Sequence, residues 1–236
     1  MAKTFQALSA LLCYPSADLK AASDDIAAVL ASEAILSPKA QQALQPLLCD
    51  MKDSNLYDLQ ERYVLLFDRS RTLSLNLFEH VHGESRDRGS AMVDLLETYR
   101  AGGVELASNE LPDHLPVLLE YLSTRDLDEA RALLTDAGHV IQVLAERLLR
   151  RESPYAAVMT ALLDAAHIKA SRPESILTEP DEDPQDLARL DAEWEEAEVT
   201  FGPNPGAGCP ASRDILSRMD PGVKPGLPRT ALTVHQ

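Results

Sequence analysis

Apolar residues recur every three to four positions over most of the first 170 residues. This spacing places apolar side chains on one face of a helix, so it predicts a series of amphipathic helices around a shared core. Leu73, Leu75 and Leu77 alternate over too few positions for a sheet, and we interpret them as a buried connection between helices. The helical stripes are Phe5, Leu8, Leu11 and Leu12; Leu56, Leu59, Tyr63, Leu66 and Phe67; Met92, Leu95, Leu96 and Tyr99; and Val140, Ile141, Leu144 and Leu148.

Serine-proline and glycine pairs indicate where some of these helices begin and end. Ser37-Pro38 and Ser153-Pro154 each offer a side-chain acceptor at the N-cap and a proline at the first helical position, where its missing N–H costs nothing. Gly102-Gly103 follows the third stripe and predicts a helix end, where a residue with left-handed backbone is needed.

The composition changes after Arg172, which predicts three regions. Residues 1–172 form an all-helical, single-domain bundle. Residues 173–201 carry eleven acidic residues against one arginine, with helical spacing at Leu187, Leu190 and Trp194, and predict an acidic segment with a short helix. Docking of that helix and simple disorder both remain open for it. Proline and glycine recur in residues 202–236, which predicts a disordered tail. The expected fold class is therefore all-α with an acidic, partly disordered C-terminal tail.

Net charge indicates which partners the protein can bind, and cysteine content indicates its cellular compartment. The formal net charge of −16 disfavours nucleic acid and anionic bilayers and favours a basic partner segment. Cys13, Cys49 and Cys209 are too few and too scattered for a disulfide framework, which fits the reducing cytoplasm. The first apolar stretch is interrupted by polar residues and reads as a helix rather than a signal peptide, and no run is long enough to span a membrane.

The segment from Phe78 to Gly89 is the densest polar segment of the chain and could in principle hold a catalytic site. It lacks the glycine positions of a nucleophile elbow and the Gly-Lys-Ser/Thr of a phosphate-binding loop. His80 and His82 could bind a metal ion with Glu79 or Glu84, but no second cluster completes a site. The favoured interpretation is that these groups satisfy one another and that Ser85, Asp87 or Glu84 caps the next helix.

Two prolines bracket Asp113-His114 in the next unusual segment. Pro112 can start a helix, and Pro116 would kink or restart it. Neighbouring residues on a helix point about 100° apart and rarely form a catalytic relay. A structural or binding role is therefore preferred to catalysis, with a mobile hinge as the alternative.

Three motifs together resemble the NarJ family of nitrate reductase molybdenum cofactor assembly chaperones, also called the delta subunit. They are Tyr63-Val-Leu-Leu-Phe-Asp68, Phe78-Glu-His-Val-His-Gly-Glu-Ser-Arg-Asp-Arg-Gly89, and Glu110-Leu-Pro-Asp-His-Leu-Pro116 followed by Leu119-Glu-Tyr-Leu122. The resemblance is densest between Tyr63 and Tyr155. It implies an all-α fold of the TorD-like group, which accompanies molybdoenzymes during maturation.

The resemblance also implies a partner and a set of binding residues. The expected client is the N-terminal segment of the catalytic alpha subunit of respiratory nitrate reductase, with molybdenum cofactor delivery proteins as further partners. The chaperone binds no cofactor stably and no metal; it assists insertion of the molybdenum cofactor into the client before membrane docking. Expected client-peptide residues are Glu110, Pro112, Asp113 and His114 first, then Pro116, Glu120, Tyr121, Glu79, His80, His82, Glu84, Arg86, Asp87 and Arg88.

These residues suggest a binding mechanism, and two alternative functions remain. An apolar groove between helices accepts an amphipathic client helix while carboxylates on its rim select basic residues, and His114 tunes binding near neutral pH. One rival is an acidic scaffold subunit that stays in the mature complex. The other is a metal-dependent hydrolase built on His80, His82 and Glu84. The expectation is a protein without catalytic activity.

Overall fold

The computed structural model describes residues 2–83, 85, 87–107 and 110–168. Within these residues every regular element is helical, and the only β-type pairing is one antiparallel bridge between Asn76 and His114. The all-α prediction is therefore confirmed. The α-helices are α1 (Lys3–Leu11), α2 (Ala17–Ala21), α3 (Ser23–Ser32), α4 (Pro38–Asp53), α5 (Leu56–Tyr63), α6 (Leu77–His82), α7 (Asp87–Ala101), α8 (Leu115–Ser123), α9 (Leu127–Asp136), α10 (Gly138–Arg150) and α11 (Ala156–Ala165).

The core is built around α1, α8, α10 and α11. Helix α1 packs on α8, α10 packs on α11, and α11 also contacts α4. The predicted stripe of α1 is completely buried, and so are the stripe residues of α10. Periodicity therefore identified the core faces of these two helices correctly. The buried stripe residues are Phe5, Leu8 and Leu11 in α1 with Leu12 at its C-cap, and Val140, Ile141, Leu144 and Leu148 in α10.

The two serine-proline pairs behave differently. Ser37 caps α4 as predicted, because its hydroxyl accepts a hydrogen bond from the Ala40 N–H at 3.2 Å. Ser153 and Pro154 do not begin α11; the helix starts at Ala156. Their carbonyls accept from the N–H groups of Ala156 and Ala157 in a tight turn that leads into the helix. The second predicted start was thus two residues early.

A π-helical turn and a buried connection follow α5. The π turn, Val64–Asp68, is closed by a hydrogen bond of 3.0 Å from the Arg69 N–H to the Val64 carbonyl. A short 3₁₀ turn, Arg71–Leu73, then leads into the segment with alternating leucines. Leu73, Leu75 and Leu77 are all buried, which confirms the predicted buried connection between helices.

Helix α7 is less embedded than its stripe predicts. Tyr99 is buried, whereas Met92, Leu95 and Leu96 are only half-buried. The helix ends where predicted: the Val104 N–H bonds to the Tyr99 carbonyl and the Gly103 N–H to the Arg100 carbonyl, with Gly103 at φ +76°. This pair of bonds is the Schellman motif, which requires a left-handed residue at that point.

The turn around Pro112 corrects another prediction. Pro112 does not start a helix; it lies in a turn, and α8 begins at Leu115 with Pro116 in its first turn. Because no helix precedes it, Pro116 neither kinks nor restarts one; it lies in the first turn of α8, where a proline is tolerated. The acidic segment with Trp194 and the tail from Gly202 onward lie outside the described residues, as does the predicted boundary at residue 172. In the part of the chain that the structure describes, no helix is long and apolar enough to cross a membrane.

Two glycines allow a matched test of the α7 termination. Neither Gly103 nor Gly89 has an atom within 4 Å of the position that a Cβ would occupy, so space does not distinguish them. Gly103→Ala places a side chain in left-handed backbone and should lower the free energy of unfolding by about 1 kcal/mol. Gly89→Ala lies inside α7 and should raise it by about 0.5–1 kcal/mol. Urea denaturation of both variants measures this, and effects of equal sign would contradict the assigned helix end.

Candidate functional site

A groove opens where the end of α1, the π turn, the buried connection and the start of α8 meet. Its volume is about 490 Å³, within the range of pockets that hold ligands. We call it the acidic groove. Its lining combines an aromatic and apolar floor with carboxylates, and includes Tyr14, Tyr63, Val64, Phe67, Asp68, Asn76, Glu110, His114, Pro116, Val117 and Glu120.

Aromatic side chains form one wall of the acidic groove. The Tyr14 ring meets the Tyr63 ring edge-on at 5.6 Å, and Phe67 lies 5.0 Å from Tyr63 between ring centroids. The Tyr63 hydroxyl donates to the Leu12 carbonyl at 2.7 Å, which ties this wall to the end of α1. Tyr14 remains 51% exposed. A large exposed aromatic beside a groove provides apolar area for a ligand at low conformational cost.

Three carboxylates stand at the rim of the acidic groove. Asp68, Glu110 and Glu120 all line it and are all exposed. They come from three separate places in the chain: the π turn, the segment before Pro112, and the second turn of α8. Among the residues that the structure describes, no lysine or arginine lines the groove. The rim therefore carries concentrated negative charge around an apolar floor, which suits a ligand with both apolar and cationic groups.

The Asp113-His114 pair is held by the buried connection rather than by a helix. Asp113 is fully buried, and its Oδ2 accepts from the Phe78 N–H at 3.0 Å. The Asp113 carbonyl accepts from the Leu77 N–H, and the Leu115 N–H donates to the Leu75 carbonyl. Asp113 thus positions the neighbouring backbone and does not face the groove. Burial raises the pKa of its carboxyl above the ordinary value, partly offset by the Phe78 hydrogen bond and the Arg88 charge.

His114 does face the acidic groove. Its Nδ1 lies 3.2 Å from Asn76 Oδ1, and the ring is half-buried. Burial lowers the pKa of His114 below its ordinary value of 6.5, although the charges of Glu110 and Asp113 act in the opposite direction. Burial therefore favours the neutral form of His114, which moves any effect of its protonation to lower pH than the sequence analysis expects.

Glu79 and Arg88 form a second polar cluster beside the Asp113 turn. Arg88 donates to Glu79 Oε1 at 3.0 Å and joins the start of α7 to α6. Burial alone raises the pKa of Glu79, but hydrogen bonds from Ser74 and Asn76 and the Arg88 charge bring it below the ordinary value. The cluster therefore holds an ionised, partnered carboxylate and serves to fix α6, α7 and the connection.

The other predicted site residues are distributed over this region. His80 Nε2 lies 2.8 Å from the Ser74 carbonyl, and the His82 ring packs edge-on against Phe78 at 5.6 Å. Asp87 is exposed at the first position of α7. Pro112 is buried, and its carbonyl accepts from the Tyr99 hydroxyl at 2.7 Å. Glu84 and Arg86 lie outside the described residues.

Tyr121 lies on a different side of α8 from the acidic groove. Its ring stacks on Tyr99 at 4.7 Å, and the Arg125 guanidinium lies 4.9 Å from its centre. A Cβ on Gly102 would come within 2.6 Å of the Tyr121 hydroxyl, so this glycine is needed for close packing. Among the residues predicted for client binding, the structure thus brings Glu110, His114, Pro116 and Glu120 together in the groove, and Tyr121 apart from them.

Sequence reasoning missed the aromatic wall and Asp68. The spacing predicts Tyr63 and Phe67 as core residues, and the family motif that contains them gives them no binding role; burial confirms the core prediction, but both residues also line the groove. Tyr14 lies directly before Pro15, beyond the end of α1. An aromatic residue next to a proline outside a helix was the one feature of the sequence that could have indicated a binding role for Tyr14. Nothing in the spacing indicates that Asp68 would meet residues more than 40 positions later.

The metal interpretation of the His80 and His82 segment finds no assembled site. Among the described residues, no three His, Cys, Asp or Glu side chains are grouped so that they could hold a metal ion. His80 and His82 lie on α6, a helix of six residues, and their contacts are with Ser74 and Phe78.

The fold and the groove define an all-helical protein with an acid-rimmed, peptide-sized cleft. The family model of the nitrate reductase delta subunit matches residues 16–161, which include the π turn, the Phe78–Gly89 segment and the start of α8. The chain belongs to this nitrate reductase delta subunit family. The resemblance drawn from the sequence motifs is thereby confirmed.

Curated relatives agree with this assignment. The chain is 42% identical over 202 residues to the nitrate reductase molybdenum cofactor assembly chaperone NarJ of Escherichia coli K12, covering 85% of this chain and 86% of the relative. It is 42% identical over 173 residues to the probable chaperone NarW of the same strain, covering 71% and 74%. The probable NarJ of Bacillus subtilis is 32% identical over 165 residues, covering 69% and 87%. These relatives are named as chaperones, in agreement with the expectation that the chain is not an enzyme.

The lowered pKa of His114 has a consequence for stability. The unfolded chain binds a proton at this residue more readily than the folded protein, so the folded state loses stability as the pH falls below about 6.5. His114→Gln removes this titration and should reduce the loss of unfolding free energy between pH 7.5 and pH 5.5. Urea midpoints at the two pH values measure it. The control is His139→Gln, an exposed histidine of α10; equal pH dependence in the two variants would contradict the role of burial at His114.

Proposed function

We propose that this protein is the assembly chaperone of a respiratory nitrate reductase and that its acidic groove binds the N-terminal segment of the catalytic alpha subunit. Family membership and the names of the relatives support the nitrate reductase client. The proposal of peptide binding is supported by one observation: the aromatic wall of the groove lies beside the three rim carboxylates Asp68, Glu110 and Glu120.

The groove accounts for the selection of such a client by two separate interactions. The aromatic wall at Tyr14, Tyr63 and Phe67 offers apolar area for one face of an amphipathic helix. The rim carboxylates attract basic residues on the flanks of that helix. The apolar contact supplies most of the affinity, because partly exposed ion pairs contribute up to about 1 kcal/mol each, and the charges supply orientation and association rate.

In this proposal the chaperone acts by binding its client in the cytoplasm and catalyses no reaction. While the N-terminal segment is held, the alpha subunit stays away from the membrane and remains open for insertion of the molybdenum cofactor. Molybdenum cofactor delivery proteins act on the client at this stage. The chaperone is then released, which distinguishes it from a scaffold subunit retained in the mature complex.

The rim carboxylates can be tested by calorimetric titration with a synthetic peptide covering the N-terminus of the alpha subunit. Glu110→Gln combined with Glu120→Gln removes two exposed charges while keeping side-chain size, and should weaken binding by about tenfold at low salt. Asp113 is unsuitable for this test because it is buried and holds the backbone of Phe78. The difference between the variant and the original protein should shrink at high salt, where exposed charges are screened.

A matched control removes two exposed acids elsewhere. Glu97→Gln with Glu129→Gln, on α7 and α9, causes the same change in net charge outside the groove. If this pair weakened peptide binding as much as the groove pair, the effect would come from overall charge and the groove assignment would be wrong.

Release after cofactor insertion separates the chaperone from the scaffold alternative. We expect the protein to co-purify with alpha subunit made in cells that lack the molybdenum cofactor, and to be absent from the cofactor-loaded, membrane-bound enzyme. Quantitative mass spectrometry of both preparations measures the ratio. A fixed ratio in the mature enzyme would instead establish the scaffold role.

A further inference from the structure

Tyr99 is the one side chain of α7 that is buried, at 1% exposed. Its hydroxyl donates to the Pro112 carbonyl at 2.7 Å. Burial and the nearby Asp113 charge raise the pKa of Tyr99 above its ordinary value, so the hydroxyl stays protonated and remains a donor. Helix α7 is thereby joined to the turn that precedes α8, and the proposed function gives this bond no role.

The backbone between Pro112 and Glu110 has little conformational freedom. The proline ring fixes φ at Pro112, and a residue that precedes a proline is restricted to extended backbone, which applies to Leu111. The Leu111 carbonyl also accepts from the His114 N–H at 3.1 Å, which closes the turn. The position of the Pro112 carbonyl therefore determines the direction in which the chain runs to Glu110.

The Glu110 charge acts on three other groups that line the acidic groove. Burial lowers the pKa of His114 and raises the pKa of Tyr63 and of Cys13, and the Glu110 charge contributes at all three, opposing burial at His114. These groups come from the start of α8, the end of α5 and the segment after α1. Because the interaction between charges falls with distance, a carboxylate that acts on all three lies near each of them. Attraction of a cationic ligand to the groove therefore depends on where Glu110 is held.

The turn next to Glu110 is held from two sides. On its C-terminal side, the Asp113 carboxylate accepts from the Phe78 N–H at 3.0 Å and ties the turn to the buried connection. On its N-terminal side, the Tyr99 hydroxyl holds the Pro112 carbonyl. A buried carbonyl that loses its donor costs free energy, so removal of the Tyr99 hydroxyl favours rearrangement on the side of the turn nearest Glu110.

We propose that Tyr99 is a positioning residue of the acidic groove: its hydroxyl holds the Pro112 carbonyl and thereby keeps the Glu110 carboxylate at the rim. Tyr99 does not line the groove itself, so it acts on a ligand only through the turn. The effect on a ligand rests on the peptide binding proposed above, whereas the position of Glu110 can be measured in the free protein.

The pKa of His114 in the free protein reports the position of Glu110, because burial lowers this pKa and the Glu110 charge raises it. NMR titration of the imidazole signals measures it, with the His114 signals assigned from His114→Gln. Tyr99→Phe keeps the ring and removes the hydroxyl, and it should lower the pKa of His114, as should Glu110→Gln. In the Glu110→Gln background, Tyr99→Phe should cause no further decrease.

Calorimetric titration with the alpha-subunit peptide gives a second measurement. At low salt, Glu110→Gln and Tyr99→Phe should each weaken binding about threefold, because both remove the same exposed charge from the rim. The double variant should also lose about threefold, whereas independent effects would multiply to about ninefold. Tyr99→Phe should reduce the salt dependence of binding as Glu110→Gln does, which a general loss of structure would not reproduce.

Tyr121→Phe is the matched control. Its ring stacks on Tyr99, but its hydroxyl donates to the Thr98 carbonyl of α7 at 3.4 Å and not to the Pro112 turn. It should leave the pKa of His114 and the salt dependence of binding unchanged. Pro112→Ala is a second route to the same displacement if Tyr99→Phe does not fold: it frees the backbone next to Glu110 and should lower the pKa of His114 only when Glu110 is present.

The free protein decides the role of Tyr99. A decrease in the pKa of His114 that requires Glu110 supports the proposal; if the peptide then fails to bind the original protein, only the proposed function is wrong. An unchanged pKa in Tyr99→Phe, a decrease that persists in the Glu110→Gln background, or an equal decrease in Tyr121→Phe overturns the positioning role.

Discussion

Asp113 lies completely buried between two parts of the chain that are far apart in sequence. Its carboxylate accepts from the Phe78 N–H, its carbonyl accepts from the Leu77 N–H, and two residues later Leu115 donates to the Leu75 carbonyl. Burying a carboxylate is costly unless it is hydrogen-bonded, and here the bonds and the nearby Arg88 offset part of that cost. The turn held in this way begins α8 and places Glu110 and His114 at the groove. A structural residue in the middle of the motif thus positions the exposed residues around it.

In the resulting groove, charge and apolar area have different effects on ligand binding. A chain with a net charge of −16 attracts basic segments over long distances, but this attraction acts on any cationic peptide. Discrimination requires contacts at short range, and the wall formed by Tyr14, Tyr63 and Phe67 supplies them. The lowered pKa of His114 favours its neutral form, which limits positive charge at the acidic groove. The electrostatics and the packing of the groove therefore favour the same class of ligand.

Local rules predicted the helices well and the site only in part. The stripes of α1 and α10, the Ser37 cap and the glycine end of α7 follow from interactions within a few residues, and all were correct. The turn at Pro112 was missed because its geometry is set by hydrogen bonds to residues 75–78, which no local pattern reports. Local pattern also overestimates the burial of helix α7. Its stripe predicts a buried face, but of the stripe residues only Tyr99 is buried in the core. The groove joins residues 13–14, 63–68, 74–76 and 110–120, so its composition depends on tertiary packing. The resemblance to a family indicated a binding role only for the last of these segments.

The π turn connects these observations. A single π-helical turn inserts an extra residue into a helix, and such turns occur often at functional sites. Here it allows one short motif to turn Val64, Phe67 and Asp68 to the acidic groove and Leu65 and Leu66 to a smaller cleft lined also by Tyr155. Tyr155 packs edge-on against Phe67, so the floor of one cleft contacts the wall of the other.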